Sequence, residues 1–474
     1  MQGMATQDKN PIRVRMAPSP TGEYHIGHIR TVLYNLAFAR KNNGKFIIRI
    51  EDTDRVRYVE GAIDRILDVI KDYGLTWDEG PRVGGEFGPY IQSERLELYK
   101  QYAMQLVEKK VAYYCFCTPQ RLEEMREEQR AKGIVAAKYD KHCLRLAKGE
   151  VEKNILAGAP HVIRLNVPAN KIVSFDDVVF GKISVNTNDI DDQVLLKSDG
   201  YPTYHLAVVV DDNLMKITHV MRGNDWIPST PKHILLYRAF GWELPTYIHL
   251  PNLKELGASK KLSKRYGPVS AREFLEEGYL PEALDNFLML LGWNPGTDKE
   301  IYTLEEFIKD FDINKIHHTD LVAFDRKKLI WMNGYYIQNM PNEDLIKRIK
   351  DYYKSDTEVI KILESSTKDK IISLAKTRMK TLKEFKELVI PQNVELSADE
   401  KKVAGAIKDV FSKIDNWDKD TILAAMRDVM QSQKVKGNLL YKIITGREHG
   451  LPLPESLEIL GKQKTLARLI QSYE

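Results

Sequence analysis

Ile12, Val14 and Met16 alternate with polar positions, a spacing that predicts a short strand, and Pro18, Pro20 and Gly22 break it at once. From His25-Ile26-Gly27-His28 onward the apolar residues change period. Ile29, Val32, Leu33, Leu36 and Phe38 line one side of a helix, for which Asn43-Gly44 is a natural stop. Phe46–Ile50 is a continuous apolar strand that runs into Glu51 and Asp52. Ile63, Ile66, Leu67, Ile70 and Tyr73 then hold helical spacing up to Gly74. Strand, helix, strand, helix predicts a parallel sheet with right-handed crossovers. Ligands of such sheets bind at the carboxyl ends of the strands, where Arg15–Ser19 and Glu51–Asp54 fall.

The alternation stops over residues 75–200. Turn signals (Gly80-Pro81, Gly84-Gly85, Gly88-Pro89) precede a helix carrying Leu96, Tyr99, Ala103 and Leu106, and a highly charged helix near 120–132. Short strands follow at 161–167 and 193–197, as expected of an insertion between two halves of one sheet. The sheet is expected to resume with Tyr204–Val210 as a buried strand, then Ile217–Met221 and Tyr247–Leu250. Thr230-Pro231 reads as an N-cap followed by proline in the first helical position. Residues 270–335 are helical and rich in aromatics, and from 336 onward nearly every segment has helical spacing, such as Leu345, Ile346, Ile349 and Tyr353.

At 474 residues the chain is long for one core, so three or four structural units are expected. A net charge of +4 permits a nucleic-acid partner, on a local patch, without requiring one. No apolar run reaches the length of a membrane span, and Met1–Asn10 is too polar for a secretory signal. Three cysteines build no disulfide framework, so a reducing, cytoplasmic setting is the expectation.

Several stretches carry chemistry. A strand, a tight turn and a helix N-terminus leave free backbone N–H groups at the positive end of the helix dipole, which favours an anion. His25 and His28, with Gly27 between them, let a polyanion approach the backbone while each ring donates to it. Lys261-Leu262-Ser263-Lys264-Arg265 is either a solvated loop or a cation cluster for phosphate. Lys376, Arg378, Lys380, Lys383 and Lys386, interrupted by Phe385, form either a solvated helix face or a site for single-stranded RNA, where cations hold phosphates and rings stack on bases. Cys115, Cys117 and Cys143 fall within 29 positions.

Ala17-Pro18-Ser19-Pro20-Thr21-Gly22 followed by His25-Ile26-Gly27-His28 resembles the ATP-binding signature of class I aminoacyl-tRNA synthetases, in the form found in bacterial-type glutamyl-tRNA synthetases. Arg49-Ile50-Glu51-Asp52-Thr53-Asp54 and the 261–265 run extend the likeness, which covers nearly the whole chain. The resemblance implies an α/β, Rossmann-like catalytic domain in two halves (1–90 and 201–255) around an α+β, acceptor-stem-binding insertion (91–200). It also implies a stem-contact region with the lysine loop (256–335) and an all-α anticodon-binding domain (336–474).

The implied activity is ATP- and Mg²⁺-dependent ligation of L-glutamate to tRNA(Glu) through glutamyl-adenylate. A non-discriminating enzyme that also charges tRNA(Gln) is the nearest rival, and a catalytically dead RNA-binding protein the rival of another class. A monomer is expected, with no membrane contact. By resemblance His25, His28, Lys261 and Lys264 are catalytic, and His25, Gly27, His28, Asp225 and Lys264 hold ATP. Arg15 meets the side-chain carboxylate of glutamate, Ser19 and Glu51 its ammonium, and Tyr204 and Arg222 the remainder, with Ala17 lining the site. Val208, where some relatives carry Asn, is a departure that lines the pocket without hydrogen bonding. Arg378 is the implied anticodon reader. Cys115, Cys117 and Cys143 resemble a zinc knot, as opposed to scattered structural thiols. Arg145 stands where other members have the fourth ligand, leaving Tyr139 or His142, with Tyr139 preferred.

Overall fold

A computed structural model of the chain describes residues 11–258, 262 and 267–473. The chain forms two compact units: residues 1–272 with 285–324, and residues 273–284 with 325–474.

In the first unit, β1 (Arg13–Met16), α1 (Ile26–Lys41), β2 (Lys45–Ile48) and α2 (Ala62–Asp72) follow the predicted order. β1 and β2 pair in parallel, Arg13 opposite Lys45. α1 ends as expected: Asn43 adopts a left-handed φ of 52°, and Gly44 donates to Ala39 O at 2.8 Å. The reason for Gly44 is steric. A Cβ there would lie 2.2 Å from Ile12 O, so the chain passes directly against the segment entering β1.

Residues 91–200 contain α3 (Leu96–Glu108), β3 (Ala112–Cys115), α4 (Pro119–Ala131), α5 (Lys148–Leu156), β4 (Val162–Leu165), β5 (Ile172–Asp177), β6 (Gly181–Asn186) and β7 (Val194–Leu196). β3, β4 and β7 make an antiparallel sheet. The hairpin β5–β6 carries no strong sequence signal, yet its first strand joins the parallel sheet, Asp177 pairing in parallel with Tyr247.

Tyr204–Val210 is not a strand. Residues Tyr204–Leu214 form helix α6. Leu206 to Val210 are all buried in the main apolar core, so every face is apolar and no 3.6-residue period shows. β8 (His219–Gly223), α7 (Thr230–Phe240), β9 (Thr246–Leu250) and β10 (Asn252–Glu255) follow. β8 and β9 are parallel, with Arg222 opposite His249. Thr218 N donates to Arg13 O at 2.9 Å, which ties β1 to the entry of β8 and sets the parallel strands side by side as β2, β1, β8, β9. The cap before Pro231 also differs from expectation. Thr230 opens α7 from inside the helix, its hydroxyl turned to Trp226 O and to Arg222.

The division between the two units falls within helices α8 (Ala271–Glu276) and α9 (Pro281–Met289). α10 (Leu304–Asp310) and β11 (Leu321–Phe324) complete the first, β11 pairing in parallel with β10. The second unit is helical from α11 (Arg326–Asn339) onward, as the spacing predicts. It has two apolar cores, one around Leu345, Ile349, Ile372 and Phe385 and one around Ile407, Phe411, Ile422 and Leu440.

Candidate functional site

The N-terminus of α1 lies at the carboxyl end of β1, as anticipated. His25 is its N-cap, Nδ1 accepting the Gly27 N–H at 3.0 Å. That bond puts the proton of the neutral imidazole on Nε2, so the outer edge of His25 is a donor. Burial and the charge of Arg30 lower its pKa. His28 stands with its ring centroid 6.2 Å from that of His25 and 4.9 Å from Tyr24. His28 is exposed as a residue, though protein atoms crowd its ring. That crowding, and then His25, lower its pKa, with Asp225 opposing. Both rings are neutral donors at pH 7, and Asp225 is close enough to act on His28. A Cβ on Gly27 would come within 3.2 Å of His25 Nδ1, pressing on the ring that caps the helix.

Lys261 and Lys264 lie outside the described residues. The segments beside them do not. Leu262 N donates to Leu253 O of β10 at 2.9 Å. On the other side, Ile26 N donates to Val269 O and Ala271 N to Tyr24 O, both at 2.8 Å. Leu262 is thus tied to β10, and the segment 269–271 to the turn that carries His25.

Beside this helix end a dense polar floor forms. Arg15 is 3% exposed and reaches Asp212 through Nε (3.1 Å) and Nη2 (3.4 Å). Arg49 is fully buried and donates to Asp212 Oδ1 (2.7 Å) and Glu51 Oε1 (3.0 Å). Asp211, the adjacent acid, accepts from Gln92 (2.9 Å), Arg95 (2.8 Å) and Tyr99 (2.7 Å). Burial works against the charge on Asp212, but Arg15 and Arg49 outweigh it and its pKa is lowered. Glu51 is raised by burial, with Arg49 pulling against the rise. Removing one partner from such a cluster strands a buried charge, which typically costs about 3–5 kcal/mol.

Arg222, at the end of β8, donates from Nη1 to the Tyr204 hydroxyl (2.8 Å), from Nη2 to Thr230 Oγ1 (2.8 Å) and from Nε to His249 Nε2 (3.2 Å). Burial raises the pKa of Tyr204, and the charges of Arg222, Glu51 and Arg15 all act on it, so these four groups converge. Ser19 is exposed and Ala17 half-buried on the turn that Glu51 joins through its N–H to Pro18 O (2.9 Å). Val208 packs in the core.

Three cysteines and a tyrosine meet in the insertion. The sulfurs of Cys115, Cys117 and Cys143 lie within 4.8 Å of one another. The Tyr139 hydroxyl is 3.4 Å from Cys115 Sγ and 3.2 Å from Cys117 Sγ, and Cys117 and Cys143 sulfurs are 3.4 Å apart. Zinc–sulfur bonds of about 2.3 Å in a tetrahedron set sulfurs about 3.8 Å apart, and a sulfur and an oxygen ligand about 3.5 Å apart, so the donor set fits that ion. Hydrogen bonding among the thiols favours the thiolate on Cys115, which Arg164 also supports. His142 donates its backbone N–H to Asp140 and is not among the clustered donors.

In the helical unit Arg378 is exposed just after α12 (Lys368–Lys376). Its charge acts on Tyr441 of α13 (Gly437–Thr445), opposing the rise that burial causes there. The other members of the basic run are less available. Lys383 pairs with Glu277 (2.9 Å), Lys386 with Asp356 (2.6 Å), and Lys376 donates to Met340 O (2.5 Å). Phe385 is wholly buried, so it stacks in a core and not on a base. A cleft of about 390 Å³, rimmed by Arg447, His449, Lys464 and Arg468, opens among the same helices.

Asp211, Asp212, Asp177 and His249 were not expected as site residues, and Thr230 was expected only as a helix cap. The signal for the first two was partial: two acids that continue a fully apolar run are buried only where the run goes on into the core, and a carboxylate buried there needs cations. Nothing in the sequence places Asp177 beside His249, because a parallel bridge between distant segments makes that contact.

The sequence profile of the tRNA synthetases class I (E and Q), catalytic domain, matches residues 11–331, and that of the anticodon binding domain matches residues 344–472. A glutamate–tRNA ligase of Clostridioides difficile (strain 630) is 43% identical over 97% of this chain and 98% of its own length. That of Clostridium tetani (strain Massachusetts / E88) is 44% identical over 97% of each. Among solved structures, a glutamate tRNA ligase from Elizabethkingia meningosepticum CCUG26117 in complex with its amino acid superposes with a TM-score of 0.83 at 35% identity. The superposition covers 98% of this chain and 99% of that one.

Proposed function

The chain belongs to the glutamate–tRNA ligases of the class I aminoacyl-tRNA synthetase family, and we propose how its residues divide that work. The enzyme ligates L-glutamate to tRNA at the expense of ATP. The observation that carries the residue assignment is the convergence of Arg15, Glu51, Tyr204 and Arg222 beside the imidazole-capped end of α1.

Arg15 receives the side-chain carboxylate of glutamate. Asp212 occupies two of its five N–H bonds and holds the guanidinium in place, leaving three for the substrate. Glutamine would turn amide N–H groups toward those donors, which is the basis for rejecting it. Glu51 and Ser19 take the ammonium, with Ala17 lining the approach. The Tyr204 hydroxyl accepts from Arg222, so its own proton is free for a ligand oxygen. The α-carboxylate attacks the α-phosphorus of ATP, and pyrophosphate leaves. Negative charge grows on phosphate oxygens, and the Nε2 edge of His25, His28 and the Gly27 region of the helix end meet it as donors. Lys261 and Lys264 supply the cations, and Asp225 orients His28. Mg²⁺, when bound to ATP, offsets phosphate charge.

Arg378, beside Tyr441, reads the anticodon, and Cys115, Cys117, Cys143 and Tyr139 hold a structural zinc ion. ATP–pyrophosphate exchange measured with tRNA(Glu) present tests the assignment. Exchange dependent on glutamate and not on glutamine is expected. Acylation of tRNA(Glu) beside tRNA(Gln) then reads the breadth of charging. No glutamate-dependent exchange would overturn the reading.

A further inference from the structure

Arg222 is held by an unusual partner for an arginine. Its Nε–H points at His249 Nε2, 3.2 Å away, and a nitrogen there accepts only if it carries no proton. The reason it carries none lies one strand further on. Asp177 Oδ2 is 2.6 Å from His249 Nδ1 and 3.2 Å from the His249 backbone N–H, while Asp177 Oδ1 accepts from Val179 and Phe180 N–H groups at 3.0 Å. Every neighbour of that carboxylate is a donor, so the ring proton sits on Nδ1 and Nε2 presents a lone pair. His249 is 0% and Asp177 3% exposed, so both lie away from bulk solvent.

Strand register makes the arrangement. Arg222 and His249 are direct partners across β8 and β9, and Asp177 reaches β9 from the end of β5. Burial lowers the pKa of His249, with Asp177 opposing, so the ring is neutral. A charged ring would turn a second N–H toward a guanidinium.

We propose that Asp177 and His249 are positioning residues for the amino-acid site: the carboxylate selects the imidazole tautomer whose bare Nε2 fixes the rotation of the Arg222 guanidinium. With Nε on His249, Nη1 on Tyr204 and Nη2 on Thr230, three of the five N–H bonds are engaged and two remain for the ligand. Asp177 comes from the hairpin that the inserted region contributes, so the amino-acid site is complete only when that hairpin is docked on the sheet. The inference rests on the assignment of Arg222 to glutamate made above.

The test uses the full-length enzyme and four variants. His249→Phe keeps a ring but no acceptor, and loss of one hydrogen bond to a charged group should raise the KM for glutamate roughly 10- to 100-fold. The KM for ATP should stay within about 2-fold, since the ATP-facing residues are untouched. His249→Gln, which offers an amide oxygen toward Arg222, should recover most of the loss. In Asp177→Asn an amide N–H facing Nδ1 would move the ring proton to Nε2, against the Arg222 N–H. Nitrogen-15 NMR of labelled histidine should therefore show the Nδ1–H form in the native enzyme and the Nε2–H form in this variant. An Nε2–H native ring, equal rises in both KM values for His249→Phe, or no recovery with His249→Gln would each overturn the proposal, whether or not Asp177→Asn folds. Arg222→Ala separates the two levels. If it leaves the glutamate KM unchanged, the assignment of Arg222 falls and this inference with it. If it raises that KM while His249→Phe does not, only the positioning role falls.

Discussion

Arg15 shows how much of a residue's function lies in its neighbours. A lone guanidinium at a strand end is mobile and promiscuous, whereas this one is held on Asp212, itself held by Arg49. Arg15→Ala should weaken transition-state binding of glutamate by about 2–5 kcal/mol, because a buried carboxylate loses its partner. Glutamine, with less to lose, should suffer less, and kcat/KM for both amino acids checks this. Equal losses would make Arg15 a structural residue. Lys264→Ala should slow adenylate formation by ~10²–10³, the usual worth of one positioned transition-state donor, with glutamate affinity little changed. Single-turnover activation decides it. Unchanged activation with collapsed tRNA binding would make the loop an RNA contact.

At the scale of elements, the join between α1 and β2 sets the register of the first two parallel strands at their amino ends. Gly44 touches the backbone of Ile12, where a Cβ would sit 2.2 Å from a carbonyl oxygen. Gly44→Ala should cost about 1–3 kcal/mol, the range for overpacking a tight contact, read as a lower urea midpoint. Wild-type stability in this variant would mean that the β1–β2 register yields freely. The cysteine cluster is an element-scale device too. It pins the start of α4 and the loop after it to β3 through Cys115, Cys117 and Cys143. About one zinc per chain is expected by elemental analysis. Cys143→Ser should lose it while ATP binding survives, and stoichiometric absence of zinc from protein purified without chelators would sink the assignment.

Across the whole molecule, buried imidazoles set a dependence of stability on pH. His233 and His249 are 2% and 0% exposed, and burial lowers the pKa of both below the ordinary value of about 6.5. As pH falls through 6.5 the unfolded chain takes up protons that the folded chain refuses. The unfolded state then binds more protons, and stability declines with falling pH by up to about 1.4 kcal/mol per pH unit for each such ring. A urea midpoint that is high at pH 7.5 and clearly lower at pH 5 is the expected result. Equal midpoints would mean that these rings protonate without cost in the fold.

The alternation of strand and helix over residues 12–74, the helix opened by His25, the two signature stretches and the helical spacing after 336 were legible in the sequence. Local periodicity and turn chemistry encode the elements, and the signature stretches were read by their resemblance to a family whose profiles match residues 11–331 and 344–472. The apolar run at 204–210 was not, since a segment buried on all sides loses the period that tells a helix from a strand. Nor was Phe385, whose place in a core and not beside a nucleotide depends on helices far away in the chain. The tertiary structure alone decided which charges meet: Asp212 with Arg15 and Arg49, and Asp177 with His249 and through it Arg222. Those contacts join segments 27 to 197 residues apart. Spacing along a chain carries the period of an element, but the register between strands is settled only when the sheet closes.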